Sequence, residues 1–266
     1  MQGRFITFEG GEGTGKSTQA ALLADKLRSI GIGVALTREP GGSPGAEIIR
    51  HVLLSGAAKP LGADVEAILF AAARDEHLVN TIRPALARGQ WVISDRFADS
   101  TRVYQGVLGS VDPRLIKGLE RLTIGDTSPD LTFILDVPAD MGLSRAGKRR
   151  GEAKADRFES EDRKFHERLR EAYRELAASE PERCVLIDAL WGRDAVAGKI
   201  FEIVKKRLLP AQADSKLSAA ACLGGVTDPG LHRLFHESAE GVHHPHLLDR
   251  VAADLEQLRA RDEHRE

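Results

Sequence analysis

Cysteine is almost missing from this chain: Cys184 and Cys222 are the only two in 266 residues. That excludes a disulfide framework and fits a reducing cytosol, so a cytoplasmic location is expected. Long apolar runs are absent too, which excludes a bilayer-spanning helix. Met1-Gln2-Gly3-Arg4 runs directly into a strand pattern, so no signal peptide is expected. Nor is there a surplus of positive charge. The formal net charge is −2, and no general nucleic-acid or membrane surface is expected. Asparagine occurs once, at Asn80, followed by Thr81. The Asn-Lys-x-Asp base reader of a GTPase is therefore lacking. Internal repeats are not evident.

What the chain does have is a hydrophobic content of 42%, enough for a sizeable core. Strand and helix signals alternate. Strands are expected at 4–9, 33–37, 90–94, 131–137 and 184–188. Helices are expected at 16–29, 45–54, 63–86, 100–108, 112–124, from 139, 163–178 and 194–208. Strands that are apolar throughout, alternating with helices, predict an α/β fold with a five-stranded parallel sheet covered on both faces. Residues 1–209 would form this domain. Residues 210–266 read as a linker and a small helical C-terminal appendage, with an apolar stripe at 247, 248, 251, 252, 255 and 258. That appendage holds six of the nine histidines, but no cysteine or acid completes a zinc pattern.

The stretch FEGGEGTGKSTQ, residues 8–19, carries the first chemistry. Gly10, four residues and then Gly15-Lys16-Ser17 fit a phosphate loop between a buried strand and a helix. Glycines allow a close approach of phosphate, the amides of Gly13 to Lys16 point at an anion, and the helix start adds a positive dipole end. Lys16 would reach the β and γ phosphates and Ser17 would ligate magnesium. Gly10, Gly11, Glu12, Gly13, Thr14, Gly15, Lys16, Ser17 and Thr18 are thus the expected ATP-binding residues.

Ligands of open α/β sheets sit beyond the carboxyl ends of the strands. Two further strand ends are polar there: Arg38-Glu39-Pro40-Gly41-Gly42 and Asp95-Arg96. Two arginines and a lysine around one crevice suit several phosphates. On the 63–86 helix, Val65, Leu69, Ala72, Val79, Ile82 and Leu86 form an apolar stripe expected to face the core. Glu66, Phe70, Arg74 and His77 share the other face, where Phe70 and Arg74 could stack on a base and bond its edge. Residues 145–157 hold Arg145, Lys148, Arg149, Arg150, Lys154 and Arg157, with Gly147 and Gly151 to keep the stretch mobile. A basic, mobile segment between helices suits a phosphoryl-transfer lid.

In combination, FEGGEGTGKST, TREPGG, ILFAAARDEHL, VISDRFADSTRVYQG, PDLTFILDV and DRFE resemble the bacterial thymidylate kinases, P-loop nucleoside monophosphate kinases, from about Arg4 to Leu208. The resemblance implies a P-loop NTPase fold, a homodimer, and magnesium-dependent transfer of the γ-phosphoryl group of ATP to dTMP. It implies that Phe70 stacks on thymine and Arg74 reads its edge. Thr101 would touch the base, Tyr104 would lie against the deoxyribose, and Glu39, Pro40 and Gln105 would join the dTMP site. Arg96, with Arg38, would hold the acceptor phosphate, and Glu12 would take the place of the family's loop carboxylate. Glu39 and Asp95 would organise magnesium through water beside Ser17, and Glu159 would lie near the sugar. Position 14 is Thr14 rather than arginine, which resembles the subtype whose lid supplies the transition-state charge. Arg149, Arg150 and Arg157 are the candidates, and the catalytic set is Lys16, Arg96, Glu12 and these three. The alternatives are a kinase for another nucleoside monophosphate and a nucleotide-dependent switch ATPase.

Overall fold

The computed structural model describes residues 3–151 and 157–209. The chain divides into two units, Met1–Asp214 and Ser215–Glu266, and the described residues all belong to the first. The expected linker and appendage at 210–266, and the middle of the basic segment including Lys154, lie outside the described residues.

Five parallel strands form one sheet in the order β2-β3-β1-β4-β5. They are β1 (Phe5–Glu9), β2 (Val34–Arg38), β3 (Trp91–Asp95), β4 (Leu131–Asp136) and β5 (Cys184–Asp188). The central strand β1 is buried at every position, as a strand covered on both faces must be. Its one internal polar side chain, Thr7, shares a hydrogen bond with Thr132 of β4 at 2.7 Å, so no buried hydroxyl is left unpaired.

Helices α1 (Lys16–Ser29) and α9 (Arg193–Leu208) cover one face, through Leu23, Leu27, Ile200 and Val204 against Phe8 and Phe133. Around the sheet lie α2 (Pro44–Ser55), α3 (Ala63–His77), α4 (Arg83–Ala87), α5 (Ala98–Thr101), α6 (Pro113–Thr123), α7 (Ala139–Arg150) and α8 (Arg163–Ser179). Leu78, Ile82 and Phe97 pack on Phe5 and Val92, and Leu169 and Tyr173 of α8 pack near Ile134. Asp162 caps α8 by accepting from Phe165 N at 2.8 Å.

Two helical expectations need correction. The 63–86 helix is not continuous: a π-turn, Leu78–Ile82, separates α3 from α4. Its stripe is also inverted over α3. Ala72 and Val79 are exposed and Val65 and Leu69 only half-buried, whereas Glu66, Arg74 and His77 are buried. The wide turn changes the phase, so Leu78 and Ile82 reach the core although the preceding face lines a polar pocket. A second π-turn, Arg102–Leu108, continues α5, where one helix over 100–108 was expected.

Candidate active site

The phosphate loop is shaped by close backbone approaches. A Cβ on Gly10 would lie 2.4 Å from Leu135 O, and one on Gly13 would lie 1.9 Å from Gly142 O. Both residues have positive φ, so glycine is required twice over. Lys16 opens α1 and donates from Nζ to Gly11 O at 2.6 Å. Burial, with Arg96 nearby, pushes its ammonium down to about 8, against the pull of Glu12 and Asp95. Such a group gains when phosphate oxygens arrive to pair with it.

Arg96, just past β3, sits in the left-handed region at φ 72, rare for a side-chain-bearing residue. Its NH2 donates to Glu12 Oε1 at 2.5 Å and to Tyr104 OH at 3.2 Å. Its NH1 donates to Gly10 O and Ser100 Oγ, both at 3.2 Å. Burial alone would raise the Glu12 carboxyl, but Arg96 and Lys16 hold it down to about 2. Beneath them lies Glu9, which accepts from Phe97 N at 2.8 Å, Ser100 Oγ at 2.7 Å and Tyr173 OH at 2.9 Å. Burial, then the charge of Asp99, pushes its carboxyl up to about 7. Ser17 Oγ is in hydrogen-bond contact with Asp95 Oδ2.

Beside the loop opens a pocket of about 320 Å³, enough for one nucleotide-sized ligand. Arg38, Glu39, Pro40, Phe70, Arg74, Arg96, Thr101, Tyr104, Gln105 and Glu159 all line it, as do Lys16, Ser17, Asp95 and Arg149. Residues from five separate stretches of sequence thus converge on one cleft. Arg74 is buried, donating from Nε to Glu39 Oε2 at 2.9 Å and from NH2 to Thr101 Oγ1 at 3.0 Å. Arg38 instead is half-exposed and paired with Glu47 at 3.0 Å.

The geometry bears on three site expectations. Both oxygens of Glu39 have partners, Arg74 Nε at 2.9 Å and His77 Nδ1 at 3.0 Å. The basic segment is not a loop throughout: Arg145 to Arg150 are the last turns of α7. Arg157 does not line the pocket. It donates to Glu66 at 3.3 Å and Glu161 at 2.5 Å and lies 4.8 Å from the Phe158 ring centroid. Arg149 and Arg150 both pair with Glu159, at 3.2 and 2.7 Å.

Sequence reasoning missed Glu9, Ser100 and Tyr173, whose role appears only when α5 and α8 meet under Arg96.

A family profile described as Thymidylate kinase matches residues 8–200. The chain is 59% identical over 220 residues to a thymidylate kinase of Nitrobacter winogradskyi, covering 83% of this chain and 96% of that one. It is 60% identical over 212 residues to a thymidylate kinase of Bradyrhizobium diazoefficiens, covering 80% and 93%. A crystal structure of thymidylate kinase from Ehrlichia chaffeensis superposes with a TM-score of 0.62 at 36% identity, covering 77% of this chain and 99% of that one.

Proposed function

The chain belongs to the thymidylate kinase family, and we propose on that premise that it transfers the γ-phosphoryl group of magnesium-bound ATP to dTMP, giving dTDP and ADP. The observation that carries the reading is that Phe70 and Arg74, an aromatic face and a donor edge, line the same pocket as the cations Arg96 and Lys16. A base and a phosphate of one nucleotide fit between them. No general base is required, since the acceptor phosphate is already anionic near neutral pH. The protein's work is alignment and charge neutralisation.

In this assignment Phe70 stacks on thymine, Arg74 and Thr101 take its edge, and Gln105 and Tyr104 close the sides. Arg96 moves part of its donation from Glu12 to the acceptor phosphate, and Lys16 leaves Gly11 O for the β and γ phosphates. Ser17 and Asp95 are hard oxygen donors at the loop and fit magnesium, which prefers one or two protein ligands plus phosphate oxygens. Bound there, magnesium would neutralise charge shared by the β and γ phosphates. Arg149, at the pocket rim, is the lid arginine placed to face the transferring group, and Arg157 anchors the lid to α3.

The exposed apolar face of α2, α3 and the following π-turn, with Ile48, Val52, Ile68 and Val79 each about 40–50% exposed, supports a homodimer in which a second copy covers it. A cytoplasmic location fits the sparse cysteine content.

The test is product analysis with γ-labelled ATP, dTMP and magnesium. Label should appear in dTDP, at a rate that depends on magnesium. Label released only as inorganic phosphate would favour a hydrolytic switch instead. Light scattering on Ile68→Glu and the parent chain should give monomer and dimer; a parent that is monomeric at all concentrations removes the dimer.

A further inference from the structure

Arg74 is held in place by a chain of buried groups that begins at His77. The His77 side chain is fully buried, at 0% exposure. Its Nδ1 lies 3.0 Å from Glu39 Oε1 and its Nε2 lies 2.7 Å from Thr37 Oγ1. An ionised carboxylate only accepts, so the proton belongs on Nδ1, and Thr37 Oγ1 then donates to the bare Nε2. Glu39 uses its other oxygen to accept from Arg74 Nε at 2.9 Å. Arg74 NH2 is committed to Phe97 O at 3.2 Å and to Thr101 Oγ1 at 3.0 Å. Only NH1 is without a partner among the described residues, and Arg74 lines the acceptor pocket.

The backbone accommodates this histidine specifically. A Cβ on Gly42 would lie 2.4 Å from His77 Nε2 and 2.4 Å from Thr37 Oγ1. The second glycine of the TREPGG turn therefore leaves room for the ring and its threonine partner. Without the Nδ1 donor, Glu39 Oε1 would be a buried carboxylate oxygen lacking a partner. It would then compete for a second Arg74 N–H, and a fork-to-fork grip would turn the guanidinium plane.

We propose that His77, donating from Nδ1 to Glu39, is a positioning residue for acceptor-base selection. By occupying one oxygen of Glu39 it limits Glu39 to a single bond with Arg74. That leaves NH1 as the donor without a partner among the described residues, on a side chain that lines the pocket. Such a donor receives a pyrimidine bearing a ring carbonyl and rejects one bearing an amino group at the same place. This rests on the reading of the pocket as the dTMP site.

The test compares His77→Leu, His77→Asn and Thr37→Val with the parent enzyme, using dTMP and dCMP as acceptors. An asparagine amide can replace the Nδ1 donor; leucine cannot. His77→Leu should raise KM for dTMP about tenfold to a hundredfold, the range set by losing one or two hydrogen bonds to charged groups. Its kcat should stay within about threefold and KM for ATP should hold, while the preference for dTMP over dCMP falls by the same factor as KM rises. His77→Asn should recover most of both. Nitrogen-15 spectra of the parent should show a pyrrole-type Nδ1 and a pyridine-type Nε2 at His77. Thr37→Val should mix the tautomers and lower the preference by a smaller factor.

A folded His77→Leu with parental KM and preference overturns the proposal, as do equal losses in the leucine and asparagine variants or a ring protonated on Nε2. Should His77→Leu not fold, the parental spectra and Thr37→Val decide. A parent without preference for dTMP removes the acceptor reading itself. A parent that prefers dTMP, with variants that keep the preference, removes only the role of His77.

Discussion

Arg96 and Glu12 meet across the mouth of the phosphate loop, NH2 to Oε1 at 2.5 Å, both side chains only 15% exposed. With Lys16 beside it, Glu12 is held at about 2 despite the opposing effect of burial, against 4.5 for a free glutamate. A folded-state value below the unfolded one contributes stability above about pH 4.5, and that stability is lost as pH falls toward 2. By about pH 3.5 the loss from this one group should be roughly 1 kcal/mol. Urea unfolding of the parent and Glu12→Gln near pH 6 and pH 3.5 measures it. The parent should lose about that much more than the variant; parallel losses would mean the pair is not coupled in the folded state.

Lys16→Ala should leave the fold intact and abolish transfer. A lost phosphate clamp costs on the order of 3 kcal/mol or more, a few hundred-fold in rate. Single-turnover kinetics on the folded variant check this, and near-parental turnover would remove the phosphate-loop assignment.

Phe70→Ala and Arg74→Ala should raise the dissociation constant for dTMP by about tenfold or more, with ATP affinity changed less than about twofold. Calorimetric titration with each nucleotide separates the two. Equal losses would mean that the variants disturb the fold rather than the acceptor site.

The strand-loop-helix start was legible because the signal is local. Glycine spacing, a flanking apolar run and Lys16-Ser17 lie within a dozen residues. The same holds for TREPGG and for Asp95-Arg96, since the carboxyl ends of parallel strands must share one edge of the sheet. Helix α3 was misread for a physical reason. Its inward face is the wall of a polar pocket, with Glu66, Arg74 and His77 buried among protein partners: Arg157 for Glu66, and Glu39 for Arg74 and His77. The apolar residues Ile68 and Val79 were left outside. Hydrophobic period reports an apolar stripe; it does not report that a polar face is buried by its own ion pairs. Glu39 could not be assigned from sequence either. Its partners Arg74 and His77 lie 35 and 38 residues away and are brought to it by the α2 to α3 connection.

The lid arginines should separate into two roles. Arg149→Gln should lower kcat by at least about tenfold with little change in dTMP affinity, because its charge acts on the transferring group. Arg157→Gln and Glu66→Gln should each weaken turnover, and the double variant should be no worse than either alone, since the residues form one strut. Steady-state and single-turnover rates of the three variants check this. Additive losses at Arg157 and Glu66 would show that Arg157 acts on substrate by itself.

The most direct measurement is ADP release with magnesium and ATP, coupled to an indicator reaction, across dTMP, dUMP, UMP, CMP and AMP. The account predicts the highest kcat/KM for dTMP, weaker turnover of dUMP, and little above background with the two pyrimidine ribonucleotides and AMP. Faster turnover of any other acceptor, or ADP release that ignores the acceptor altogether, would contradict it.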